Sequence, residues 1–225
     1  VLKEPPNKKI DAVIRNTIGS NNQYTNFTSI GGKKNKFSFY TFYNHKRGDG
    51  FRNNSNYKSN NVYVHLKKNL SNKSELSGEV TYMNYLAKQA GGLSDRMFIN
   101  NPMQSNRSRN WFELDWLLYN FKFKHRFNEK TNLSFNLFGL DAERNTVGFR
   151  TNRVDQVDPL TERDLIRGNF NNHGLELKIL RKYKINEKKG TFVLGGKYYR
   201  SKSLSKQGPG SEGADADFNI YLDEF

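Results

Sequence analysis

Phe121-Lys-Phe-Lys-His-Arg-Phe127 places Phe121, Phe123 and Phe127 in alternation with Lys122, Lys124 and Arg126 and runs directly into the short turn FNEKTN at 127–132. Side chains of a strand point alternately to its two faces, so this stretch has one apolar and one charged face. The pattern recurs upstream, where Val62, Val64 and Leu66 alternate with Tyr63, His65 and Lys67. No convincing helical stripe competes with it.

Extended across the chain, the alternation predicts about ten strands. They fall at 10–19, 23–31, 37–45, 58–70, 74–87, 111–127, 131–144, 172–185, 190–202 and 215–224. Most exceed the usual strand of about five or six residues. They are long enough to cross a bilayer, for which a tilted strand needs about 9 to 11 residues.

The connections carry more information than the strands. From residue 31 onward they alternate between short turns (31–36, 69–75, 127–132, 185–190) and long segments centred on 46–57, 88–110, 145–171 and 203–214. In an up-and-down antiparallel sheet every second connection emerges at the same end, so all the long ones gather on one side. Outer-membrane barrels have this asymmetry of short periplasmic turns and long extracellular loops. A soluble sandwich has no reason to sort its loops this way. Aromatic residues Phe37, Phe39, Tyr40, Phe42 and Tyr43 crowd one strand, and Trp111, Phe112 and Trp116 begin another, which suits an interfacial girdle as well as an ordinary sheet.

Composition narrows the function. The chain has 225 residues, a mean hydropathy of -0.88 and a net charge of +15, with no cysteine. A helical span needs about 20 apolar residues, and no such run occurs. Without cysteine there is neither a disulfide framework nor a thiolate metal site. The charge points to an anionic partner. Nucleic acid is disfavoured, because the basic and aromatic residues are spread over all the strands with no recognition module.

Catalytic signals are weak. His45, His65, His125 and His173 have no metal-binding spacing, so no metal site and no cofactor are expected. Asp155 with Asp158, and Glu162 with Asp164, lie in a solvated loop without a partner motif. Gly91-Gly92 and Gly208-Pro-Gly210 fit turns, not a phosphate cradle. The chain does not read as an enzyme.

Arginine is distributed differently from lysine. Arg96, Arg107, Arg109, Arg144, Arg150, Arg153, Arg163 and Arg167 all fall in or beside two of the long loops. A guanidinium binds carboxylate or phosphate at two points, so several at one mouth would trap an anion. They could equally pair with Asp95, Glu143, Asp155, Asp158, Glu162 and Asp164, or with lipopolysaccharide phosphates.

The segments YLAKQAGGLSDRMF (85–98), PMQSNRSRNWFELDW (102–116), LFGLDAERNTVGFRTNRV (137–154), ERDLIRGNF (162–170) and QGPGSEGADADFNIY (207–221) together resemble the TonB-dependent outer-membrane receptors, and among them the ferric dicitrate receptor-like group. The resemblance spans nearly the whole chain. It implies an N-terminal plug domain, which TonB contacts, and then a barrel of about 22 strands. Residues 1–225 would be the N-terminal half of that barrel, VLKEPPNKKI marking the junction with an absent plug, and Phe225 an accidental end within a strand.

It further implies uptake of a ferric chelate, with ferric citrate first, by a protein of the outer membrane that is monomeric when complete. Iron would travel inside its chelate and need no protein ligand. Arg107, Arg109, Arg150, Arg153 and Arg163 are the expected ligand-binding residues. The contrasting expectations are a passive porin or small barrel of ten strands, whose first and last strands must pair, and a receptor for another siderophore, cobalamin or a glycan.

Overall fold

In the computed structural model, which describes residues 5–219, nine strands form one sheet in the order β1 to β9, each antiparallel to the next. They are β1 (Asp11–Ile18), β2 (Tyr24–Lys34), β3 (Phe37–Gly48), β4 (Tyr57–Asn69), β5 (Ser74–Lys88), β6 (Trp111–Arg126), β7 (Thr131–Gly148), β8 (Arg163–Ile185) and β9 (Lys188–Gly210). The all-β, up-and-down arrangement is the expected one. Strand length climbs from 8 residues in β1 to 23 in β8 and β9. The edges β1 and β9 do not pair, so the described sheet is open.

Register shows why the alternation is so regular. One continuous cross-strand row runs through Phe39, Leu66, Gly78, Phe121, Leu137, Leu175 and Tyr198. Of these, Leu66, Phe121, Leu137, Leu175 and Tyr198 are 37–61% exposed. The opposite face carries the row Lys67, Ser77, Lys122, Asn136, Glu176 and Lys197. A slip of one residue would exchange the two faces, so the register is strongly specified.

The polar face is cross-linked by its own side chains. Glu75 accepts from Lys67 Nζ at 2.9 Å and lies 3.4 Å from Lys124 Nζ, while Glu79 accepts from Tyr63 Oη at 2.7 Å and Asn120 Nδ2 at 2.9 Å. Beside these lies an aromatic cluster in which Phe27 and Tyr63 flank Phe42 at ring separations of 5.5 and 5.4 Å. A polar interior and an apolar exterior are the division of a membrane barrel wall. Each apolar square ångström left in water would cost about 25 cal/mol, so the outer band needs a cover.

Several boundaries differ from expectation. The 31–36 connection contracts to Asn35 and Lys36, because β2 and β3 pair out to Lys34 and Phe37. Strand β8 begins at Arg163, nine residues before its expected start, and β9 extends to Gly210. Of the expected strand at 215–224, residues 215–219 are irregular and the rest lie outside the described residues. A short helix, α1 (Asp95–Asn100), interrupts the β5–β6 loop, with Ser94 as its N-cap.

Candidate functional site

The β3–β4, β5–β6 and β7–β8 loops and the segment after β9 all leave the same end of the sheet. Irregular backbone has no ladder to satisfy its carbonyls, and buried carbonyls need donors. Arginine, with five N–H groups, can serve several at once. Four arginines do so here.

Arg52 joins the first two loops. Its guanidinium donates to Gly91 O at 2.7 Å, to Gln104 O at 2.9 Å and to Ala90 O at 3.4 Å. Alongside, Asn53 N donates to Met103 O at 2.9 Å and Asn54 Nδ2 to Ser105 Oγ at 3.2 Å. Gly91 sits at φ +73°, and a side chain there would run into Arg107. That is the structural use of the Gly91-Gly92 break.

Arg107 joins the second loop to the third. It is 5% exposed, donates to Gln156 O at 2.8 Å and Arg153 O at 3.3 Å, and lies 5.1 Å from the centre of the Phe149 ring. Asn106 adds a bond to Val154 O at 2.7 Å.

Arg109 and Arg163 bring in the segment after β9. Arg109 grips Asp158 in a two-point fork, Nε to Oδ2 at 2.9 Å and Nη2 to Oδ1 at 2.5 Å, and donates from Nη1 to Thr161 O and Glu212 O. Burial pushes the Asp158 carboxyl up, but the Arg109 fork and the Leu160 amide outweigh it and hold the group below the usual carboxylate range. Arg163, whose side chain is fully buried, donates to Ser211 O, Asp215 O, Arg109 O and Ser211 Oγ at 2.6–3.1 Å. Trp111 Nε1 completes the seam with a 2.8 Å bond to Ala214 O.

The five expected ligand-binding arginines therefore fall into two groups. Arg107, Arg109 and Arg163 are buried and hold backbone together, with no face turned to solvent. Arg150 and Arg153 stay on the surface of the β7–β8 loop. Arg153 is 75% exposed and 3.3 Å from Asp155, whose carboxyl it holds below the usual value by hydrogen bonding and charge. Arg96, on α1, is exposed as well.

Arg163 is the first residue of β8 and Arg109 lies two residues before β6, so both stand at strand roots, as does Arg150 two residues after β7, which nevertheless stays exposed. Arg52 gave no signal in sequence, because its loop, centred on 46–57, held only Arg47 besides it amid Asn, Ser and Gly. Among the described residues no three His, Asp or Glu converge as a metal site.

No protein-family model matches the sequence, nor does any curated protein. Solved structures do resemble the fold. The chain superposes on the unliganded ferric citrate transporter FecA with a TM-score of 0.77 and 15% identity, over 93% of this chain and 32% of that one. The pyoverdine outer membrane receptor FpvA of Pseudomonas aeruginosa PAO1, bound to pyoverdine, gives 0.76 at 11% identity, over 99% and 34%. BauA, the ferric preacinetobactin receptor of Acinetobacter baumannii, gives 0.73 at 10%, over 90% and 32%. At these identities the likeness is one of fold, and the chain spans about a third of the length of the structures it matches.

Proposed function

We propose that this chain is part of an outer-membrane TonB-dependent receptor that takes up a ferric chelate, ferric citrate being the first candidate. The observation that carries the reading is the one-sided canopy: three long loops and the segment after β9 locked together at one end of a wall that is apolar outside and polar inside. Transport receptors of the same fold, FecA, FpvA and BauA, support the receptor class over an enzyme. The mismatch between an 8-residue β1 and a 23-residue β9 argues against the small self-closed barrel, since most of the longer edge would find no ladder partner.

In this reading residues 1–225 are the N-terminal half of the barrel, and the plug, the TonB contact and the remaining strands belong to the rest of a monomeric receptor. The anionic chelate meets Arg150 and Arg153 first, with Arg96 beside them. The arginines beneath, Arg107, Arg109 and Arg163, keep the loop backbone in place for that encounter. Iron stays within its chelate, so it is cargo and not a resident cofactor.

Titration of the complete receptor with ferric citrate tests the assignment. Replacing Arg150 and Arg153 together by Gln is expected to weaken binding by roughly tenfold, mainly through slower association at low salt. Unchanged affinity would remove both from the site. Tight binding of an uncharged chelate but not of ferric citrate would overturn the substrate.

A further inference from the structure

The net charge of the chain is unevenly placed. The four short-turn segments 33–36, 67–75, 124–130 and 178–189 hold fifteen Lys and Arg against Glu75, Glu129 and Glu187, so most of the +15 gathers at the turn end while acids and bases elsewhere nearly balance. All fifteen are exposed except Lys67, which is half-buried. Some are engaged: Glu75 takes Lys67 and Lys124, Glu176 takes Lys178 at 2.7 Å, and Lys184 lies 3.9 Å from Glu187. Lys36, Lys73, Lys130, Lys182, Lys188 and Lys189, at least one from every turn, make no side-chain ion pair or hydrogen bond among the described residues.

Spacing, facing and residue type define what this surface fits. The turns β2–β3, β4–β5, β6–β7 and β8–β9 follow one another two strands apart, about 10 Å, so the free lysines form a line about 30 Å long. Register places Lys33, Lys67, Lys124, Lys178, Lys182 and Lys189 on the polar face with Lys122, turned away from the exposed apolar band. Thirteen of the fifteen are lysines, whereas the canopy is fixed by arginines. A hydrated ammonium is a point charge with no fork to impose one geometry, and each exposed pair contributes little alone. Such a line holds well only a partner that is itself extended and repeats its negative charge, since many weak contacts then act together.

We propose that the turn end is a docking surface for the cell-wall polymer beneath the outer membrane, an extended glycan whose stem peptides carry free carboxylates. It rests on the membrane-barrel reading above, in which the short turns face the periplasm. The ammonium groups of Lys36, Lys73, Lys130, Lys188 and Lys189 meet successive carboxylates. The contact is reversible, sensitive to salt and indifferent to which carboxylate meets which lysine. A compact ligand would touch one or two turns and leave the rest unused. Anionic lipid at the wall would meet only the few cations of the outer face, such as Lys34, Lys68 and Arg181.

The test uses the complete receptor in zwitterionic nanodiscs, sedimented at low salt with purified cell-wall sacculi or with sacculi whose carboxyl groups have been amidated. Wild type is expected to sediment with intact sacculi, roughly tenfold less with amidated ones, and to be released at about 0.5 M salt. Replacing Lys36, Lys73, Lys130, Lys188 and Lys189 together by Gln should weaken sedimentation about tenfold with hydrogen exchange of the strands unchanged, and the same five replaced by Arg should keep it. Absence of wild-type binding, equal sedimentation by wild type and the Gln variant, equal sedimentation with amidated sacculi, or preference of wild type for phosphatidylglycerol vesicles over sacculi overturns the docking surface while leaving the barrel reading intact. Extraction of the wild-type receptor from membranes at high pH overturns the barrel reading and this proposal with it.

Discussion

The two ends of the sheet are closed by opposite means. At the turn end the chain reverses chiefly by backbone geometry, helped by single local contacts such as Lys130 N to Asn128 Oδ1: β8 and β9 pair out to Ile185 and Lys188, leaving Asn186 and Glu187 as a two-residue turn with φ of 45° and 67°. At the loop end long irregular segments are fixed by side chains, chiefly guanidinium groups on carbonyls. Turn geometry is local and tolerates substitution wherever φ is satisfied. A canopy assembled by a few buried donors concentrates its stability in those donors.

That contrast can be broken most directly at Arg163. Arg163→Ala removes the fully buried guanidinium and strands the carbonyls of Ser211, Asp215 and Arg109. The expected cost is about 3 kcal/mol, felt as local opening. Hydrogen exchange should accelerate across 149–162 and 211–219 while the strands at the turn end keep their protection. Uniform loss of protection would show that the two ends are not independent.

A smaller effect is expected at the neighbouring staple. Asp158→Asn leaves the buried Arg109 without its charge partner and should cost about 2 kcal/mol, again confined to the canopy. Acid tests the same contact. The folded pKa of Asp158 lies below its ordinary value of about 3.9, so the staple contributes fully above that pH and is lost as pH falls through the folded value. Exchange in 149–162, corrected for intrinsic rate, should rise below about pH 3.9 in wild type and be flat there in Asp158→Asn. A parallel rise in both would place the acid sensitivity elsewhere.

The smallest change belongs to the turn end, and its sign is reversed. Glu187→Gly relieves a positive φ that glycine adopts freely, and should stabilise by about 1 kcal/mol or less. Urea unfolding in micelles would register the gain, with no change in canopy exchange. Destabilisation would mean that the Glu187 side chain contributes more than its backbone costs.

The sheet was legible wherever its two faces differ. Strands β3 to β7 start within a residue of where alternation put them, because an apolar and a polar face must alternate along a wall between two environments. The signal faded at 163–171 and 203–210, where β8 and β9 continue above the apolar band and both faces carry polar groups. The helix Asp95–Asn100 has six residues and none buried, so it had no stripe to display. For the candidate site, the concentration of arginine pointed to the end of the sheet where the long loops gather. Which guanidinium turns inward depends on which loop carbonyls and carboxylates the neighbouring segments bring to it, as Gln156 and Arg153 do for Arg107 and Asp158 for Arg109, and charge alone does not encode that.

Strand length adds a mechanical consequence. A 23-residue hairpin extends roughly 75 Å, against an apolar band of about 25 Å in barrels of this kind. In the proposed receptor much of β8 and β9 would thus rise beyond the bilayer as a mast, with the canopy tied to its top through Arg163 and Ser211. A load on that canopy acts along the strands and across their ladder bonds, so many bonds share it in shear instead of parting one by one.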